Sequence, residues 1–266
     1  GIASVDMSAN GRLLVAGQHK RLDFKTVFRS FAKSGSHGDQ ETVEGPTSVW
    51  LWDTETGETL HELKGHEGRV QMVALSDDAS LLVSADHNET QLWQTATGER
   101  LLSFDKSGHM QHADFLPDGK QVLLLMPGRA GIWSLETGEV TTRFSIHGRL
   151  TDISHCELSP TGELAACVTG TNVLYLCSSD SGKVVREFAG HQAKITSAAF
   201  HPSGEQVATA SEDKTVKIWN TSTGELLRTL EGHKQTVTSV TFSPDGRWLG
   251  STSRDFTARL WPVSAF

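Results

Sequence analysis

The sequence predicts an all-β chain, a β-propeller of four-stranded antiparallel blades. Three observations carry that prediction. One pattern of about 42 residues returns along almost the whole chain, which marks a repeat architecture. Each copy divides into four short runs of strand length and composition. Turn-forming glycines come back in register with them. Four strands make a small sheet that cannot bury both faces alone, and such sheets arranged radially cover one another.

The register is set by a tryptophan late in each copy. Trp52, Trp93, Trp133, Trp219 and Trp261 mark it, and Cys177 fills the same slot midway through the one double-length gap, so that the spacings are 41, 40, 44, 42 and 42. Five residues after the first five markers stand Gly57, Gly98, Gly138, Gly182 and Gly224 in turns such as "DTETGE" and "NTSTGE", where glycine supplies a positive φ. A second turn, between the first two strands, reads "SANG" 8–11, "LPDG" 116–119, "SPTG" 159–162, "HPSG" 201–204 and "SPDG" 243–246, with "SDDA" 76–79 in the second copy. Six blades are counted within one domain spanning 1–266, seven if an upstream segment is missing.

In the first copy, "SVDMSANGRLLVAG" (4–17) aligns with "SVTFSPDGRWLGST" (239–252), so the sequence opens at the innermost strand of a blade. Between its second and third strands sits an insertion, 18–46, where other copies use a few residues; lengthening a loop from about 4 to about 30 residues costs roughly 2 kcal/mol. Within it Phe24, Val27, Phe28 and Phe31 fall at i, i+3, i+4 and i+7, one apolar helical stripe among Lys20, Arg21, Lys25, Arg29 and Lys33. That stripe suits packing on the chain's own flank, docking on a partner, or a basic helix touching a membrane surface. The second copy keeps Gly65, His66 and Trp93, but its turn reads "SADHNET", which displaces Asp86. The third has Gly108 and His109 three residues out of register, and the fourth reads "IHGRL" and ends in Cys177. In the fifth, "ITSAAF" 195–200, "QVATAS" 206–211, "TVKIWN" 215–220 and "ELLRTL" 225–230 are four strands. The sixth ends at Phe266, five residues after its tryptophan, too soon for a fourth strand. An outer edge is thereby left unpaired, and an extension upstream is expected.

The "GH" start, the S-x-D turn, the tryptophan end and "LWD" at 51–53 resemble the WD40 repeat family over almost the whole chain. The resemblance implies a hydrogen-bonded tetrad inside a blade: His191, Ser211 (or Thr209), Asp213 and Trp219 in the fifth copy, and His233, Ser253 (or Ser251), Asp255 and Trp261 in the sixth. Physically, the aspartate accepts from the histidine, and the hydroxyl joins histidine to the indole N–H, so each buried polar group has a partner. Copies two to four depart from that pattern, and their blades are expected to rest mainly on apolar packing. A serine, a histidine and an aspartate together also describe a hydrolase triad. Here the set recurs in two copies, is tied to a tryptophan and lacks a G-x-S-x-G elbow, so no catalysis is expected.

The formal net charge of -8 disfavours a nucleic-acid binder, which needs a basic face. No apolar run is long enough to span a membrane. Cys156, Cys167 and Cys177 are odd in number and without C-x-x-C spacing, which describes neither a disulfide framework nor a zinc site but small buried hydrophobes in a reducing compartment, the cytoplasm. "HMQH" (109–112) and "SHCE" (154–157) offer weak metal-ligand spacing, and Cys156 aligns with core Val240; no metal or cofactor is expected. Recognition is instead expected from the loops entering each first strand and the turns between second and third strands. Arg69, Gln71, Asp152, Ser154, Lys194, Thr196, Glu212, Thr236, Thr238 and Arg254 line that face. Its mixed charge suits a peptide or loop of a protein partner. The chain is thus expected to be a non-catalytic interaction scaffold, or alternatively a sensor or regulatory propeller fused to upstream domains; an enzyme with an axial metal site ranks last.

Overall fold

A computed structural model describes residues 2–8, 10–18, 48–104, 110–127, 129–146 and 153–263. Most of the 18–46 insertion, with Phe24, Val27, Phe28 and Phe31, lies outside the described residues, as do His109 and Asp152. Among the described residues there is no helix, and 23 strands form six antiparallel sheets. None of them is thus a helix long and apolar enough to cross a membrane.

The chain falls into two compact units, Gly1–Met126 with Trp133–Thr141, and Pro127–Ile132 with Thr142–Phe266. The first sheet holds β1 (Ile2–Met7), β2 (Leu13–Gln18), β3 (Ser48–Asp53) and β4 (Thr59–Leu63) in that order. The second repeats it with β5 (Met72–Leu75), β6 (Leu81–Ala85), β7 (Thr90–Gln94) and β8 (Arg100–Phe104), and the third with β9 (His112–Phe115), β10 (Gln121–Met126), β11 (Arg129–Ser134) and β12 (Val140–Arg143). In the second unit stands a fourth sheet of β13 (His155–Leu158), β14 (Leu164–Val168), β15 (Val173–Ser178) and β16 (Val184–Ala189). The fifth comprises β17 (Ile195–Phe200), β18 (Gln206–Ser211), β19 (Val216–Asn220) and β20 (Leu226–Leu230). The sixth has three strands, β21 (Val237–Phe242), β22 (Trp248–Ser253) and β23 (Ala258–Pro262). The strand spans expected for the fifth copy are met to within a residue.

These are propeller-type blades, and the repeat spacing follows from their turns. All five glycines after the markers take φ between 67° and 81°. At Gly182 a Cβ would come 2.1 Å from the carbonyl oxygen of Arg143, so both conformation and space require glycine. In the second copy Ala79 fills the corresponding left-handed position of the first turn at φ 58°.

Within each unit, the core lies between successive sheets. Leu51 packs with Val70, Val73 and Leu82 of the following repeat, and Ile218 packs with Val237, Val240 and Leu249. The residue before the marker shows what this packing does. Leu51, Leu92, Leu176 and Ile218 are 0–3% exposed, whereas Leu260 in the sixth sheet is 72% exposed. It borders a shallow depression of about 320 Å³ with Thr241, Gly250, Thr252 and Ala258. Polar links join neighbouring sheets too. Asp6 accepts from the Leu75 amide at 2.8 Å, Glu157 from the Phe200 amide at 3.1 Å, and the Thr196 hydroxyl donates to the Val237 carbonyl at 2.6 Å. Carboxylates and hydroxyls thus satisfy backbone groups on the edge strand of the next sheet.

Candidate functional site

The residues shared between repeats turn inward. In the fifth sheet the Trp219 indole donates to the Thr209 hydroxyl oxygen at 2.9 Å, that hydroxyl meets His191 Nε2 at 2.8 Å, and His191 Nδ1 meets Asp213 Oδ2 at 2.7 Å. Donors and acceptors run one way: indole N–H to hydroxyl, hydroxyl to Nε2, Nδ1–H to carboxylate. This needs a neutral imidazole, and burial does hold His191 below its ordinary value. Burial pushes Asp213 up, but bonds from the Thr215 hydroxyl, the Gln192 amide and His191 outweigh it and bring it down to about 2.

The sixth sheet repeats the frame. Trp261 donates to Ser251 at 2.9 Å, Ser251 meets His233 Nε2 at 2.8 Å, and His233 Nδ1 meets Asp255 at 3.0 Å. The hydroxyl link is therefore made by Thr209 and Ser251, the alternates in the sequence reading, and Ser211 and Ser253 do not make it. Ser211 and Ser253 donate instead to the carbonyls of Ala193 and Gln235, each at 3.1 Å. The reason is the pleat: residues two apart on a strand face the same side, and only Thr209 and Ser251 lie at the depth of the indole.

A further correction concerns the second sheet, which holds the indole–hydroxyl–imidazole links of the frame with its aspartate close to the ring but outside hydrogen-bond geometry. Trp93 donates to Ser84 at 2.8 Å, Ser84 meets His66 Nε2 at 2.7 Å, and Asp86 Oδ2 approaches His66 Nδ1 at 3.2 Å. Asp86 sits earlier in its turn than Asp213 does, yet its carboxylate still caps the loop through the amides of Gly68, Asn88 and Glu89 at 2.7–2.9 Å. The "GH" pair and the tryptophan were the available signal; the offset aspartate concealed it. In the fourth sheet Cys167 and Cys177 occupy the hydroxyl and tryptophan slots, with Cys167 opposite Cys156.

The frames leave the loop residues outside. Gln192 and Lys234 amides donate to Asp213 and Asp255, at 3.0 and 2.8 Å, and the amides of Glu212 and Arg254 donate to the carbonyls of Lys194 and Thr236, both at 2.9 Å. Each first-strand loop is thereby clamped to the second-to-third turn of its own sheet, and the two form one rim. At these loops Lys194, Glu212 and Arg254 of the fifth and sixth sheets are exposed; at the corresponding loop of the second sheet Arg69 is exposed and Gln71 reaches His87 at 2.6 Å. Not every expected rim residue is free for a partner: Thr196 is spent on Val237, Thr238 bonds Thr252 at 2.9 Å, and Ser154 donates to the Val168 carbonyl at 3.2 Å. One residue is added. Phe256, in the turn after Asp255, is 98% exposed at φ 64°. Among the described residues no group of three or more His, Cys, Asp or Glu is arranged to hold a metal ion.

Comparison with known proteins agrees with the blades. The WD domain, G-beta repeat family (WD40) matches residues 57–94, 182–220 and 224–262. Apoptotic protease-activating factor 1 of Homo sapiens is 31% identical over 136 residues, 47% of this chain and 11% of its own length. Eukaryotic translation initiation factor 3 subunit I of Aspergillus terreus is 36% identical over 85 residues, 31% of this chain and 25% of its own length. Periodic tryptophan protein 2 homolog of Schizosaccharomyces pombe is 28% identical over 116 residues, 40% of this chain and 12% of its own length. The chain thus spans a quarter or less of each of these relatives.

Proposed function

We propose that this chain, which carries WD40 repeats, is a non-catalytic interaction scaffold that takes a peptide or loop of a protein partner on the loop rim of its blades. Protein interaction is the general role of such repeats. The observation that carries the reading here is the division of labour just described: shared His, Ser/Thr, Asp and Trp residues are consumed in buried frames, while the unshared residues at the same end face water. Lys194, Glu212, Arg254 and Phe256 supply both charge signs and one uncovered aromatic. A non-glycine residue in a left-handed conformation costs about 1 kcal/mol, and a ring left in water returns none of that to the fold. An aromatic beside an arginine is the composition of an interface anchor. A cytoplasmic setting is part of the same reading.

A second reading makes the chain a regulatory segment of a longer protein. It is favoured by the relatives, of whose length the match covers as little as 11%. Affinity capture tests the rim in either case. A partner retained by the intact chain is lost when Arg69, Lys194 and Arg254 are all changed to Glu, with the melting temperature unaltered; a partner held equally by both forms refutes the rim assignment.

A further inference from the structure

The fourth sheet contains three thiols where its neighbours have none. Cys156 on β13 stands directly opposite Cys167 on β14, with the two sulfurs 2.8 Å apart, and Cys177 on β15 stands opposite Ala165, diagonal to Cys167. All three are free thiols and fully buried. In the fifth sheet the same three positions hold Ala198, Thr209 and Trp219. Two sulfurs at this separation are well inside ordinary contact. Directly opposed antiparallel residues have Cα atoms about 4.5–5.5 Å apart, within the range a disulfide spans. Cys177 also hydrogen-bonds Cys167, but the Cα atoms of a diagonal pair stand about 7–8 Å apart, which a disulfide does not bridge without moving backbone.

We propose that Cys156 and Cys167 form a dithiol/disulfide couple, an intramolecular modification site that ties the edge strand β13 to β14, with Cys177 excluded. The oxidant is a small-molecule disulfide. One thiol, as thiolate, attacks RSSR and releases RSH as a mixed disulfide forms. The second thiol then displaces the other RSH, closing the S–S bond; two electrons and two protons have passed from the cysteines to RSSR. Hydrogen bonding to the neighbouring thiol, Cys156 for Cys167 and Cys167 for Cys177, and then burial favour the protonated thiols there, so the closed sheet reacts slowly. β13 is an edge strand, paired on one side only, and its transient opening exposes Cys156 and admits the oxidant.

The test incubates the folded protein with oxidised glutathione to equilibrium, then alkylates under denaturing conditions and maps peptides by mass spectrometry. The expected result is loss of two hydrogens, one alkylated thiol out of the three, a Cys156–Cys167 linked peptide and a higher melting temperature. The Cys177→Ala variant keeps the linkage and Cys156→Ala abolishes it. Should Cys156→Ala fail to fold, Cys177→Ala alone decides between the pairings. Three alkylatable thiols, a persistent glutathione adduct, or a linkage to Cys177 would each overturn the proposal.

Discussion

At the scale of single residues, Thr209 is the hinge of the fifth frame. It accepts from Trp219 and meets His191, both partners being buried. Thr209→Val keeps the shape but leaves an indole N–H and an imidazole nitrogen without partners. That costs about 1–3 kcal/mol, read by chemical denaturation; a change inside measurement error would mean that the frame contributes nothing to stability. The sequence placed the histidines, aspartates and tryptophans of the fifth and sixth frames correctly. It put Ser211 ahead of Thr209, wrongly, because both project from the same face of one strand and spacing does not tell them apart. The aspartate of the second sheet was hidden for a related reason: a turn of different length still delivers Asp86 to His66.

At the scale of strands and sheets, one register position gives opposite expectations. Ile218 and Leu260 both precede a marker tryptophan, but Ile218 is 1% exposed against the sixth sheet and Leu260 is 72% exposed. Ile218→Ala therefore costs about 2–4 kcal/mol through lost burial and a cavity, while Leu260→Ala costs under about 1 kcal/mol. Parallel thermal or denaturant melts of the two variants check this, and equal losses would contradict the sheet-to-sheet packing. The strand pattern itself was readable residue by residue, since alternation and turn glycines are local. Burial was not, because two residues with the same local neighbours differ only in whether another sheet lies over them.

Across the whole molecule the frames make stability depend on pH in one direction. Burial lowers His66 and His191 from 6.5, so the native state prefers neutral imidazoles. Asp86, Asp213 and Asp255 lie below 3.8, so it prefers ionised carboxylates. For every one of these groups the folded value is depressed, so its stabilisation is present above the unfolded value and fades as pH falls through the folded one. The melting temperature is expected to decline as pH drops below about 6.5 and again, more steeply, below about 3.8; a flat profile from pH 7 to pH 3 would contradict the frames' protonation states. By itself the sequence determined the all-β class, the repeat register, the turn glycines and the histidines, aspartates and tryptophans of two frames, since each is a matter of spacing along one chain. Tertiary structure alone decided which hydroxyl closes a frame, that the second sheet has one, that Cys156 faces Cys167, and that Phe256 and Leu260 stand in water. Those are contacts between strands or between sheets, and their energies depend on what lies across a gap rather than on what comes next in the chain.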